Sequence, residues 1–416
     1  MTILGDLLST LFERRLTPHA YSEKADGPIE ELCHELLSQK GNILGLTIAG
    51  KILASYDQMS DPKKIAFFNF LVTEMDINID EIQARLSAYD VDRSRDNLTK
   101  YLSSSETKRR ELFRRLNQDA SATGRLVAMR EDLMRLAKSK PELQTVDLDF
   151  QQLFRSWFNN GFLVLRPISW ASPADILEKI IAYEAVHAID TWEELRRRLE
   201  PSDRRCFAYF HPSMPDEPLI FVEVALMEVV PNSIQSVLAE TRDIIPFESA
   251  KTAVFYSISN CQKGLAGISF GNALIKNVAA ELAREIPNIK TFVTLSPMPK
   301  FASWASEEGH NGDQISEENL RKLAAKYLIN AKRPDGMPVD PVARFHLNNG
   351  ALVHAVHTSA DTSPQGQKQS FGVMVNYAYE LKNASKNHEN FAANANIAAA
   401  KTVKALAKSK LALNEK

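Results

Sequence analysis

Cysteine is scarce: only Cys33, Cys206 and Cys261 occur in the 416-residue chain. They stand far apart, so the sequence encodes neither a disulfide framework nor a CxxC metal site, and a reducing compartment fits. Long apolar runs are missing as well, none approaching the roughly 20 residues needed to cross a bilayer. Charge of one sign is the third absence. With 50 Lys and Arg against 52 Asp and Glu the net charge is −2. Such a balance denies the molecule a general field for nucleic acid or an anionic membrane, while leaving room for a local basic pocket. Targeting signals are not evident either. The amphipathic start "MTILGDLLSTLFERRL" is interrupted by Asp6 and Glu13, acids that a signal or transit peptide avoids. The "SKL" at Ser409 to Leu411 is followed by further residues and so does not read as a peroxisomal address. A cytoplasmic location is expected.

What is present is ordinary globular composition, 44% hydrophobic and 25% charged, in a chain too long for one core and expected to form two or more domains. Up to about residue 156 the texture is helical. In "SDPKKIAFFNFLVTEM", Ser60 or Asp61 is the expected N-cap and Pro62 lies at the helix start, followed by apolar Ile65, Phe68 and Val72. "SSSETKRRELFRRLN" reads as a helix whose Arg/Lys run forms a solvated face. Few glycines or β-branched runs occur here, which predicts a helical bundle over residues 1–156.

From "WFNNGFLVLRPISW" onward, residues 157–416, strand signals take over. "RRCFAYFHP" and "EPLIFVEVALM" flank the turn-forming "PSMPDE", and "TAVFYSIS", "TFVTLS", "GALVHAVH" and "FGVMVNYAYEL" are further strands. Between Ser259 and Thr291 lies an amphipathic helix with Leu274, Ile275, Val278 and Leu282 on one face and Pro287 past its end. The Ala/Lys-rich end, "NFAANANIAAAKTVKALAKSKLALNEK", is expected to be helical.

Three motifs carry chemistry. "GLAGISFGN" fits two readings. Gly264, Gly267 and Gly271 with a cap at Asn272 make a loop feeding a helix N-terminus, an arrangement suited to a pyrophosphate. Gly267-Ile268-Ser269-Phe270-Gly271 also spells G-x-S-x-G, the serine-hydrolase elbow, with Asp340 and His346 following in triad order. "NCQKGLA" then separates strand from motif by more than a tight elbow allows. In "TFVTLSPMP", Ser296 ends a strand before Pro297, a place from which a hydroxyl can face a cleft, although Ser-Pro is also a common turn. In "PVARFHLNNG", His346 precedes a turn signal and can give or take a proton near neutral pH. His354 and His357 would face opposite sides of a strand and make a poor metal pair, so no zinc site is expected.

Taken in order, "YEAVHAIDTWEELRRRL", "EPLIFVEVAL", "VFYSIS", "GLAGISFGNALIKNV", "TLSPMPKFASW", "PVARFHLNNGA" and "GVMVNYAYEL" resemble the malonyl-CoA decarboxylase family over about residues 170–380. The resemblance implies an N-terminal helical domain used in oligomer assembly and a catalytic α/β domain of the GNAT acetyltransferase fold, a mixed sheet flanked by helices. It implies that Ala266, Gly267, Ile268, Ser269, Phe270, Gly271 and Asn272 hold the CoA pyrophosphate, which favours the phosphate reading of the loop. The acetyltransferase pattern Q/R-x-x-G-x-G/A is met only at Gly271, with Ala266 and Ser269 departing from it, so main-chain amides must do most of the holding. It further implies Ser296 as proton acceptor and His346 as proton donor, malonyl-CoA and acetyl-CoA as ligands, and no cofactor or metal. A homo-oligomer, by family a tetramer, is expected, with neither nucleic acid nor membrane as partner. An amine-acylating CoA enzyme and a non-catalytic CoA-binding protein are the alternatives.

Overall fold

The protein is described by a computed structural model covering residues 27–38, 41–268, 274–310 and 315–411. Two compact units emerge. The first comprises the described residues up to Val164 with Phe210–Glu217 and residues 262–268; the second comprises Leu165–Tyr209, Pro218–Cys261 and the described residues from 274 onward.

In the first unit, helices Ile29–Ser38, Asn42–Asp57, Asp61–Thr73, Lys108–Leu116, Ala122–Leu136 and Gln144–Trp157 each bury an apolar face. Ser60 occupies the N-cap of the third of these, with Pro62 in its first turn. Phe113 stacks on Phe150 at 4.1 Å between ring centroids, with Leu112, Leu116, Leu133 and Phe154 fully enclosed. Burial of such side chains contributes about 1.5–3 kcal/mol each. The basic run of Lys108–Leu116 departs from the expected solvated face. Arg109 is only 5% exposed, sharing the inner side with Leu112, Phe113 and Leu116. Its Nε donates to Asp149, and Arg110 reaches the same carboxylate at 2.8 Å. A helix carries three or four inward positions per two turns whatever their polarity, and here the paired carboxylate makes the arginine tolerable inside.

The second unit is built on a mixed sheet. Its strands are β1 (Val164–Ile168), β2 (Arg204–Phe210), β3 (Ile220–Met227), β4 (Thr252–Asn260), β5 (Thr291–Thr294), β6 (Ser296–Pro297), β7 (Leu352–His357) and β8 (Met374–Ala378), in the order β1-β2-β3-β4-β5-β8-β6, with β7 also on β8. This is the mixed sheet with flanking helices that the resemblance implies. The neighbours β4 and β5 run parallel, but they pair only from Thr252 opposite Thr291 to Phe255 opposite Thr294. Beyond that point β4 continues to Asn260 while β5 stops. On the other side of β4 the register shifts between Glu223 and Val224 of β3, whose partners Ser257 and Phe255 leave Tyr256 of β4 as the extra residue, and such a bulge bends a strand. One face packs Val254, Tyr256, Val293, Leu295, Met374 and Ala378 into an apolar core. Strand alternation therefore sends Phe255, Thr294, Tyr377 and Tyr379 to the other face, where Phe255 meets Tyr379 edge-on at 6.4 Å.

Between β4 and β5, helix Leu274–Glu285 buries Leu274, Ile275, Val278 and Leu282, as their spacing predicts. The Ala/Lys-rich end is helical only in part. Helices Ala384–Asn394 and Lys401–Lys408 are separated where Ala395 turns left-handed at φ 49° and Ala399 bridges Val353. Pairing with β7 supplies main-chain partners that win over the helix propensity of alanine.

Candidate active site

His346 is delivered by helix Pro341–Asn348. The turn signal after it is the end of this helix, not a hairpin. Asp340 starts the helix: its Oδ1 accepts from the amides of Val342 and Ala343, both at 2.9 Å, and Pro341 sits at the first turn where no N–H is required. The other oxygen of Asp340 accepts from the Tyr327 hydroxyl at 3.2 Å. Both oxygens are thus committed to holding the helix. His346 lies in the last turn and is 2% exposed.

Ser296 is 5% exposed and stands in β6, immediately past the point where β4 and β5 part. Its Oγ is 3.0 Å from His346 Nε2 and 2.8 Å from Thr294 Oγ1. The opposite ring nitrogen, Nδ1, is 2.8 Å from the Tyr379 hydroxyl. Tyr377 lies against the imidazole, with centroids 4.5 Å apart and planes 25° from parallel. Two residues 50 positions apart thus meet inside a sleeve of hydroxyls and aromatic rings. Both ring nitrogens have hydroxyl partners, and no charged group adjusts the ring's proton affinity. Burial alone pushes the His346 pKa down to about 3, because a buried imidazolium loses its hydration. The free ring is therefore neutral across the physiological range.

Of the seven residues expected to hold CoA, three are described, and they belong to the first unit. Ala266 N–H donates to Lys263 O and Ile268 N–H to Leu265 O, while Gly267 takes φ +78°, a conformation that favours glycine. The preceding Gly264 is required by crowding: a Cβ there would lie 1.9 Å from the Val127 carbonyl oxygen. Buried Arg130 donates to Gly264 O at 2.6 Å and Ala266 O at 2.9 Å while paired with Asp147. The start of the loop is thereby pinned by its carbonyls. Ser269, Phe270, Gly271 and Asn272 lie outside the described residues.

Comparison with known proteins gives the family. A family model for the malonyl-CoA decarboxylase C-terminal domain matches residues 161–316 and 305–416, and one for the N-terminal domain of the same proteins matches residues 76–158. The chain belongs to the malonyl-CoA decarboxylase family. It is similar to the crystal structure of malonyl-CoA decarboxylase from Agrobacterium vitis, at 45% identity over 92% of this chain and 100% of that one, with TM-score 0.87. The Rhodopseudomonas palustris malonyl-CoA decarboxylase structure gives 44% identity over 91% and 98%, with TM-score 0.85. Among curated relatives, "Malonyl-CoA decarboxylase, mitochondrial" of Anser anser anser is 32% identical over 425 residues, 89% of this chain and 82% of that protein.

Within this family setting, the hydrolase triad has no geometric support, because Asp340 makes its contacts at the other end of the histidine's helix and Tyr379 takes the place beside Nδ1. The remaining histidines of the third motif lie apart from the Ser296 pair. His354 is exposed on β7, and His357 Nε2 contacts the Asn376 side-chain oxygen. Among the described residues no group of three His, Cys, Asp or Glu side chains converges as a metal site, and no helix is long and apolar enough to cross a membrane. Sequence reasoning passed over Thr294, Tyr377 and Tyr379. Their two-residue spacings put Thr294 with Ser296 and Tyr377 with Tyr379 on common faces. That signal was available, but it does not say which side chain would meet them.

Proposed function

We propose that this decarboxylase converts malonyl-CoA to acetyl-CoA and CO₂ at Ser296 and His346. The thioester is its own electron sink: as the carbon–carbon bond breaks, its electron pair moves into the thioester as an enolate and CO₂ leaves. No organic cofactor or metal is required by that step. The protein has to hold the carboxylate out of the thioester plane and deliver a proton to carbon. A positioned donor of this kind contributes about 10²–10⁴ in rate.

The neutral resting imidazole fits this cycle. A malonyl carboxylate brought beside it favours the protonated ring, since a nearby opposite charge offsets the loss of hydration. Decarboxylation moves the negative charge onto the enolate, which then takes the ring proton at carbon and returns the imidazole to its neutral state. One proton from solvent is consumed per turnover. Ser296 is the partner through which the Nε2 proton is held or passed. The observation that carries this assignment is the enclosed 3.0 Å contact between Ser296 Oγ and His346 Nε2. CoA is assigned to residues 266–272 on the family resemblance.

Incubation of the purified enzyme with malonyl-CoA alone should release acetyl-CoA and CO₂ in equal amounts. Acetyl-CoA consumption that required an added amine would favour the acyltransferase instead. The reading also includes a helical assembly domain over residues 1–156, a catalytic domain over 157–416 and a homotetramer, which light scattering can test. A cytoplasmic setting, in keeping with only three cysteines far apart in the chain, is tested by cell fractionation.

A further inference from the structure

We propose that Thr294 is a positioning residue of this reaction, its hydroxyl setting the direction in which the Ser296 O–H points. The inference rests on the reading that Ser296 and His346 carry the proton transfer. Its basis is an interruption in the sheet. Val293 pairs with Ala378 and Ser296 with Val375, a register that puts Thr294 opposite Tyr377. No ladder pair forms there. Instead the Thr294 carbonyl accepts from the Asn376 side-chain amide at 2.8 Å, and the Tyr377 N–H donates to Thr294 Oγ1 at 3.2 Å. The threonine hydroxyl has been drawn into the sheet, within 2.8 Å of Ser296 Oγ.

Hydrogen-bond bookkeeping gives this hydroxyl a role. A main-chain N–H can only donate, so one lone pair of Thr294 Oγ1 is filled at all times. One lone pair and one proton remain to face Ser296. When Thr294 donates, Ser296 Oγ accepts, and the serine proton points at His346 Nε2, leaving Nδ1–H to donate to Tyr379. When Thr294 accepts, the serine proton points away, His346 Nε2–H donates to Ser296 Oγ, and the Tyr379 O–H donates to Nδ1. The first arrangement prepares the imidazole to receive a proton at Nε2, and the second prepares it to give one. Each leaves a single buried hydroxyl proton without a partner among the described groups, Tyr379 in the first and Thr294 in the second, so the count favours neither; the structure holds the second, with the Ser296 hydroxyl donating to Thr294 Oγ1. A chain balanced in this way can reverse within a catalytic cycle. Valine, nearly the same shape, removes the reversing end.

The test compares Thr294→Val and Thr294→Ser in steady-state decarboxylation of malonyl-CoA, with acetyl-CoA binding measured by calorimetry. Thr294→Val is expected to lower kcat by about tenfold, the order expected for one lost hydrogen bond at a reacting group. Acetyl-CoA affinity should be unchanged and the solvent deuterium isotope effect on kcat should rise. Thr294→Ser, which keeps the hydroxyl, should stay near the parent in all three. Parental kcat and isotope effect in Thr294→Val overturn the proposal, as does a serine variant as impaired as the valine one. If the valine variant does not fold, Thr294→Cys is measured in its place, with the same loss expected and a parental rate again overturning the idea. Ser296→Ala and His346→Ala run alongside. Normal turnover in those two removes the underlying mechanism, whereas their failure beside a normal Thr294→Val removes Thr294 alone.

Discussion

Two histidines of the second unit, one buried and one half-buried, stand in contrasting company. His346 has hydroxyls at both nitrogens and an aromatic ring along its face. His187 lies among charges. Its main-chain N–H donates to Glu184 at 2.7 Å, and its carbonyl accepts from Arg198 at 2.8 Å. Glu184 also takes the Ser257 and Ser259 hydroxyls, and Arg198 reaches Glu223 and Glu194. Burial lowers the proton affinity of both rings, but at His187 the Glu184 and Asp361 carboxylates act against it. Fixed ion pairs hold a segment in place and resist a change of charge state. A ring among hydroxyls has no opposing charge to lock it, so an arriving substrate can decide its protonation. Buried charge networks and reactive sites both perturb pKa values, and the kind of partner tells them apart here.

The largest expected effect is on turnover. His346→Ala and Ser296→Ala should each lower kcat by about 10²–10⁴, while calorimetry still registers acetyl-CoA binding. A near-parental rate in either variant removes that residue from the mechanism.

Next comes stability on the charged side. Arg198→Met takes the cation from beside Glu223, which is fully buried, and should cost about 3 kcal/mol in urea melts run above pH 8, where the carboxyl is ionised, the lower end for a broken buried pair. The lower end is chosen because Glu223 can take up a proton. Specific activity of the folded fraction should change little. A loss of turnover as deep as that of His346→Ala would mean that the two clusters are not separate in function.

The two sides also predict opposite pH slopes. Burial raises the Glu223 carboxyl to about 8 from an ordinary 4.5. The folded state therefore holds more protons than the unfolded chain between those values, and Glu223 makes stability fall as pH rises through that window. His346 is depressed from 6.5 to about 3. There the unfolded chain holds more protons, so stability is retained above 6.5 and lost as pH falls toward 3. Each slope is at most about 1.4 kcal/mol per pH unit. Thermal melts across pH should show Glu223→Gln flattening the alkaline loss and His346→Asn the acidic one. Unchanged slopes would contradict the burial argument.

The smallest effect is reserved for Tyr379→Phe. It removes one hydrogen bond from Nδ1 and keeps the packing, and should lower kcat severalfold, on the order of 1 kcal/mol, with stability close to the parent. A hundredfold loss would promote Tyr379 to a direct role in proton transfer.

Much of this architecture was legible in the chain. The strands, the helix from Leu274 and the Ser60–Pro62 helix start follow from side-chain periodicity and capping, which act over a few residues and need no distant partner. Ser296 and His346 were reached through motif resemblance, and only the fold shows that they touch. The buried Arg109 was misread as solvated because helix spacing does not reveal a carboxylate 40 residues away. Thr294, Tyr377 and Tyr379 were missed for the same reason. Local sequence, then, determined which segments are helices and strands and where each begins, since those choices rest on near neighbours. Tertiary structure alone decided that a serine past β5, a histidine at a helix end and a tyrosine past β8 share one buried space. That depends on where β4 and β5 part and where β8 crosses, and pairing between distant strands fixes both.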